Sequence, residues 1–460
     1  MSERPIDRAP LDQLVNDFAA ERHCPTIAWG VVRSSGLALT GAVGDVDERT
    51  VYRIASMTKS FSAAATLLLR DEGAFQLDDP IGRHVPELDS LRSPTGDAPP
   101  ITIRDLLSMT SGLVTDDDWA DRHLDLTDDE FDAIITSGPI FAQPTGLEYE
   151  YSNFGYAVLG RVVHRVSGRP IQAHVTDRLL GPLGMTRTTW VQPDHDGWAR
   201  PLRWLDGDYV EELPPLADGL IAPMGGLWTT VSDLARWVGW LDAAFPARDD
   251  PDDGPLQRSS RREMQTSQRS TGIRERNDSS YATSYGYGLR VLHQGQRGAV
   301  VSHSGGLPGY GSNMSWRLGR RLGVIALSNA TYAPMTELGL HMLDLLSDQI
   351  DLAPHDRPAN GRLHHAAGRL VSLLNDWDDA DAARLFADNV ELDDAWSRRR
   401  SAASIYRPLT ITSVDSINEA RAQISCTARD GQTVQITFAL APVAPPTIQR
   451  YDISSPRSAV

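Results

Sequence analysis

The segment beginning at Ser56 constrains this chain most. Phe61, Ala63, Ala64, Ala65, Leu67, Leu68 and Leu69 follow it at helical spacing and leave almost no polar side. A helix of that kind has to be buried, so the rest of the chain must be layered around it. Gly73 supplies a C-cap. At the start of this helix stands Lys59, the only lysine; the other members of the 44 basic residues are all Arg. Arg serves wherever a fixed positive charge is enough, whereas a buried lysine can give up its proton. Lys59 lies three residues after Ser56, in Ser56-Met57-Thr58-Lys59. One helical turn brings the amine to the face of the serine hydroxyl. The helix N-terminus favours negative charge developing there. This is the nucleophile–base pair of a Ser/Lys acyl-transfer site.

Two further clusters fit that chemistry. Tyr151-Ser152-Asn153 precedes a helix. The Tyr151 phenol can relay a proton, and a neighbouring ammonium is expected to lower its pKa. Asn153 offers an amide that can hold Lys59 and a substrate carbonyl together. Taken alone, the pair reads first as a core Tyr and an N-capping Asn. His303-Ser304-Gly305-Gly306 closes a strand. Its polar donor can meet a substrate carboxylate, and its glycines let backbone N–H groups approach a reacting carbonyl. Taken alone, it is an ordinary strand and Gly-rich turn.

At 460 residues, 41% hydrophobic and 23% charged, the chain has the make-up of a globular protein with a large core. A net charge of −17 argues against binding nucleic acid or an anionic membrane. No run long enough for a transmembrane helix occurs, and Met1 to Arg8 leads into no apolar signal region. Cys24 and Cys426 lie far apart and read as reduced thiols. The expected location is therefore the cytoplasm.

Periodicity predicts a helix over 9–22, a hairpin of Ile27–Val32 with Leu37–Val43, and helices over 102–109, 153–166, 231–245 and 335–350. Strands are predicted at 287–292, 299–303, 312–318 and 322–327. Thr115–Asp129 and Ala247–Tyr281 read as long loops, either solvated surface or a lid. Strands from both chain ends around a helical insertion give an α+β fold: an antiparallel β-sheet flanked by helices, with a mostly helical subdomain. The expected division is a main domain over 1–351, a linker over 352–362 and a small C-terminal α+β domain over 363–460. In the last, helices at 363–375 and 378–386 precede a hairpin, Ala422–Ala428 with Thr433–Ala439 about Asp430-Gly431.

Together the clusters S-x-x-K, Y-S-N and H-S-G fall in order, about 95 and about 150 residues apart. Here the chain resembles the penicillin-recognising serine hydrolases: class C β-lactamases, D,D-carboxypeptidases, D-aminopeptidases and related esterases. The resemblance runs over roughly residues 8–350 and extends to Ile101–Leu113, Pro223–Thr230, Tyr285–Gly288 and Gly305–Gly309. It implies a β-lactamase/transpeptidase-like fold. It also implies that Ser56 is acylated, that Lys59 and Tyr151 share the base and acid work, and that Asn153 positions the substrate amide. His303 would stand where β-lactamases carry a lysine. The N–H groups of Ser56 and Gly306 would form the oxyanion hole, with Ser304 and Gly305 beside the substrate. H-x-G in place of K-T-G points to D-peptidases and esterases rather than efficient β-lactamases. Asn375-Asp376-Trp377 and Phe386–Val390 resemble the ketosteroid-isomerase-like cone fold. A packing or oligomerisation module is the favoured reading there over a second active site.

The expected activity is serine hydrolysis of an ester, amide or peptide bond in a small-molecule or short-peptide substrate, through a covalent acyl-enzyme. Transfer of the acyl group to an amine, weak β-lactam hydrolysis and a penicillin-binding sensor are the alternatives, and a homo-oligomer is open. G-x-S-x-G, H-E-x-x-H and a P-loop are absent, so no metal site is expected. A Schiff base between Lys59 and an aldehyde cofactor is the competing enzyme class, and no cofactor is expected.

Overall fold

The structure is a computed structural model, and it describes residues 5–34, 36–91, 93–194, 197–214, 217–252, 254–276, 279–350, 357–358 and 360–454. The chain divides into two compact units, Met1–Leu352 and Ala353–Val460.

In the first unit, helix α1 (Ala9–Glu21) leads into strands β1 (Ile27–Arg33) and β2 (Gly36–Val43). Helices α2 (Thr58–Asp71), α3 (Asn153–Ser167) and α4 (Val231–Asp242) occupy the long middle section. The chain then returns as a meander: β3 (Arg269–Arg276), β4 (Ser279–Tyr285), β5 (Arg290–His293), β6 (Ala299–Leu307), β7 (Tyr310–Arg317) and β8 (Leu322–Ser328), closed by α5 (Met335–Gln349). One eight-stranded sheet results, in the order β2-β1-β8-β7-β6-β5-β4-β3. The N-terminal hairpin docks on the last strand of the meander, with Gly30 opposite Ile325 in an antiparallel pair.

Strands β7 and β8 are buried at every position. Continuous rather than alternating burial means that both faces are covered. Helices α1 and α5 cover one face, where Leu11, Val15 and Phe18 share a core with Leu338, Met342 and Leu346. Each fully buried side chain of this kind contributes about 1.5–3 kcal/mol. Helices α2 and α4 belong to the core of the other face. Helix α4 comes so close to β1 that a Cβ on Gly30 would stand 2.6 Å from Val231 Cγ1. The sequence of α2 accounts for its place: every residue from Thr58 to Leu69 is buried. Its few polar groups are paired: Ser62 Oγ donates to Pro223 O (2.6 Å) and Ser60 Oγ accepts from Trp237 Nε1 (3.1 Å).

Two predictions need correction. Ala247–Tyr281 is not a loop; it contains a helix, Arg258–Met264, then β3 and most of β4. The helix buries Arg258 and Arg261 rather than an apolar stripe, and most of β3 is exposed, so neither shows hydrophobic periodicity. Thr115–Asp129 carries a short helix, Asp117–Ala120, and the start of a second, Asp128–Ser137.

The second unit packs helix α6 (Gly361–Asn375) and helix α7 (Asp379–Leu385) with an antiparallel sheet of β9 (Thr410–Asn418), β10 (Arg421–Thr427), β11 (Thr433–Leu440) and β12 (Ile448–Ser454). Leu363, Leu370 and Leu374 of α6 meet Ile424, Ile436 and Phe438 in its core. Strands β10 and β11 alternate buried and outward positions along their length. Of the segment read as a linker, 352–356 and 359 lie outside the described residues. Arg357–Pro358 pairs with Ser416 and Asp415, and α6 begins at Gly361. Among the described residues, no helix is long and apolar enough to cross a membrane.

Candidate active site

Ser56 sits on a tight turn, Ala55–Met57, that runs into α2. Ala55 holds a left-handed backbone at φ 49°. Such a conformation costs an alanine about 1–2 kcal/mol and is held by its surroundings. Strand β6 presses on this turn. A Cβ on Gly305 would lie 2.3 Å from Ile54 O and 2.7 Å from Ala55 Cβ, so only glycine fits.

Lys59 lies in the first turn of α2 with no solvent exposure. Its Nζ donates to Ser56 Oγ (2.9 Å), Asn153 Oδ1 (2.6 Å) and Met224 O (3.0 Å). Three acceptors match the three protons of an ammonium. Burial nevertheless dominates and brings its pKa down to about 7; Asp117, Asp121 and Asp116 pull the other way.

Tyr151 borders the same cleft as Ser56, and Lys59 Nζ lies 4.8 Å from the centre of its ring. Its pKa is raised well above the ordinary tyrosine value, because burial outweighs every positive neighbour. This corrects the expectation that a nearby ammonium lowers it. Tyr151 is a held O–H, not a phenolate.

Asn153 opens α3 but does not cap it. The cap is Ser152, whose Oγ accepts from Gly155 N (3.2 Å), while Asp116 accepts from the N–H groups of Asn153 (2.7 Å) and Phe154 (2.8 Å). Asn153 is thereby free to face Lys59, and its Nδ2 donates to Asp117 Oδ1 (2.7 Å). The acidic stretch read as a loop thus supplies the groups that orient Asn153.

His303 is 2% exposed. Its Nδ1 lies 2.7 Å from Ser304 O, which can only accept, so Nδ1 carries the proton. Nε2 is left to accept from the Tyr285 O–H at 3.2 Å. Burial, with Arg290 and Lys59 nearby, lowers its pKa well below the usual histidine range. A neutral ring with both nitrogens engaged is no donor for a substrate carboxylate, which corrects that expectation. The positive charge beside the site belongs instead to Arg290, lying 5.5 Å from the ring centre of Tyr151 and 5.8 Å from that of Tyr285. Ser304 Oγ accepts from Asn313 Nδ2 (2.8 Å) and Thr336 Oγ1 (2.6 Å).

Ser56, Tyr151, His303, Ser304, Gly305 and Gly306 border one cleft of about 660 Å³. Asp117, Asp121, Arg274, Arg290 and Tyr332 border it as well, and the sequence reading named none of them. Arg290 had a signal, a charge set between Leu289 and Val291; Asp117 and Asp121 were hidden in an acidic run. Asp121 is 4% exposed, and burial brings its pKa up to about 7. Among the described residues, no group of three or more His, Cys, Asp or Glu could hold a metal ion.

Comparison with known proteins bears on the family and the fold. The family model described as Beta-lactamase matches residues 11–349. The chain is 35% identical to "Esterase EstB" of Burkholderia gladioli over 209 residues, 41% of this chain and 51% of that protein. It is 29% identical to "Protein flp" of Staphylococcus aureus (strain MW2) over 240 residues, 50% of this chain and 47% of that one. It therefore spans about half the length of the curated relatives it matches. An octameric penicillin-binding protein homologue from Pyrococcus abyssi superposes with a TM-score of 0.62 at 20% identity, over 97% of this chain and 100% of its own. A D-stereospecific amidohydrolase from Streptomyces sp. superposes at 0.60 and 22% identity, over 74% and 98%. At these identities the two structures speak for the fold alone.

Proposed function

Because this chain belongs to the β-lactamase family of serine hydrolases, we propose that it cleaves an ester or amide bond through an acyl-enzyme on Ser56. The observation that carries the reading is Lys59 Nζ at 2.9 Å from Ser56 Oγ, in surroundings that bring the amine down to about 7. Near neutral pH a large share of it is uncharged and able to accept a proton.

In the proposed reaction the neutral Lys59 takes the Ser56 proton as Oγ attacks the carbonyl carbon. The negative charge that moves to the carbonyl oxygen meets the N–H groups of Ser56 and Gly306. Asn153, fixed by Asp117, keeps Lys59 in place. Collapse of the tetrahedral intermediate breaks the bond to the leaving group. Tyr151, a proton-bearing phenol beside Ser56 and Lys59, hands over its O–H proton to the leaving group and regains one from Lys59. Water then adds to the acyl carbonyl, its proton passing to the same base, and Ser56 is regenerated as the acid leaves.

With His303 neutral, Arg290 is a positive charge that borders the cleft. This favours a substrate with an anionic end, such as a short peptide or an acyl amino acid. Similarity to an esterase of B. gladioli supports ester cleavage. The proposal extends to a homo-oligomer, since a homologue of the same fold is octameric; light scattering tests that point. The activity test is turnover of p-nitrophenyl esters and D-amino-acid amides by wild type and Ser56→Ala. Turnover by wild type alone is expected; undiminished turnover by the variant would sink the assignment.

A further inference from the structure

The rim of the cleft carries a residue that catalysis does not use. Tyr332 follows β8 with a left-handed backbone, φ 52°, a conformation that favours glycine and needs surrounding contacts in a tyrosine. Those contacts are visible. Its N–H donates to Leu307 O at 3.3 Å, and the loop before it is held by Thr331 N to Leu202 O at 2.8 Å. Its phenol crosses to the acidic segment and donates to Asp121 Oδ2 at 3.0 Å. Tyr332 remains 45% exposed, yet its Cδ1 would lie 2.9 Å from a Cβ on Gly306. The ring therefore stands against the backbone that faces the substrate carbonyl oxygen. Ala333, Met335 and Leu340 are among the apolar residues that border the same cleft.

We propose that Tyr332, tied to Asp121, is a specificity-determining wall that limits the acyl group this enzyme accepts to short chains. The inference rests on Ser56 as the acylated residue. An acyl chain bound in this cleft shares it with the Tyr332 ring, which stands against Gly306. The tie to Asp121 keeps the ring from swinging away. Both anchors come from segments that hold the site: Asp121 lies four residues after the Asp117 that orients Asn153, and Tyr332 is bonded to the strand that carries Gly306.

The test is kcat/KM for p-nitrophenyl acetate, butyrate, hexanoate and octanoate with wild type, Tyr332→Gly, Tyr332→Phe and Asp121→Asn. Glycine suits the backbone at this position, so Tyr332→Gly should fold. The octanoate-to-acetate ratio should rise about tenfold or more in Tyr332→Gly, since a few methylenes gained in an apolar site are worth that much. Tyr332→Phe keeps the ring and loses the tie, and should shift the ratio less. An unchanged ratio in Tyr332→Gly, or an equal loss on every ester, would overturn the wall. Turnover that survives Ser56→Ala, or wild type that cleaves none of the esters, would instead strike the reading on which it rests.

Discussion

At the scale of single residues, the proposed reaction depends on where two protons sit. Lys59 must be neutral to accept a proton, so kcat/KM for an ester should rise as the pH passes through about 7. Tyr151 keeps its proton well past the ordinary tyrosine range, so no fall on its account is expected below pH 10. A pH–rate profile flat between 6 and 8 would contradict this. Tyr151→Phe should lower kcat about 10²- to 10⁴-fold, the usual worth of a positioned proton donor, with circular dichroism unchanged. The lysine also leaves a mark on stability. Between about 7 and its ordinary 10.5, the unfolded chain binds a proton at Lys59 that the folded chain does not. Folding should therefore strengthen with rising pH across that window. Wild type should gain Tm relative to Lys59→Met as the pH goes from 7 to 10, and a constant difference would argue against a neutral Lys59. Arg290→Gln should raise KM for anionic substrates more than for neutral ones, as paired assays on acyl amino acids and simple esters would record.

At the scale of elements, the site is made where the turn before α2, the start of α3 and the end of β6 converge. Gly305 is the tightest point of that convergence. Gly305→Ala puts a methyl 2.3 Å from Ile54 O; it should cost about 1–3 kcal/mol of stability and displace Ser56, read as a lower Tm with lost ester turnover. The elements that carry Ser56, Lys59, Tyr151 and Asn153 were legible because their signals are local: an all-apolar helix, a polar triplet before a helix, a strand ending in glycines. What surrounds them was not. Asp117 and Asp121 act across long stretches of sequence on Asn153 and Tyr332, and in the chain they are only part of an acidic run. Strands β3 and β4 escaped because an edge hairpin with Ile273 75% exposed has no apolar face to repeat. His303 was legible as a candidate but not as a neutral ring, since its state depends on Tyr285, Arg290 and the Ser304 carbonyl.

At the scale of the whole molecule, the α+β plan followed from strands at both ends of a long helical section. The second unit was legible through its Asp430-Gly431 hairpin, while the exposed β9 and the polar helix Trp396–Ser404 gave no pattern to follow. Each unit has its own hydrophobic core. We therefore expect two calorimetric unfolding transitions, of which a Ser56-directed inhibitor shifts only the larger; a single shared transition would argue against independent units. In the proposed reaction one buried amine makes Ser56 the point of covalent attachment. Intact mass after brief incubation with a slowly released acyl donor, followed by peptide mapping, tests it most directly. One added acyl group is expected on the peptide containing Ser56, absent in Ser56→Ala; an adduct on another peptide, or one that persists in that variant, would refute Ser56 as the acylated residue.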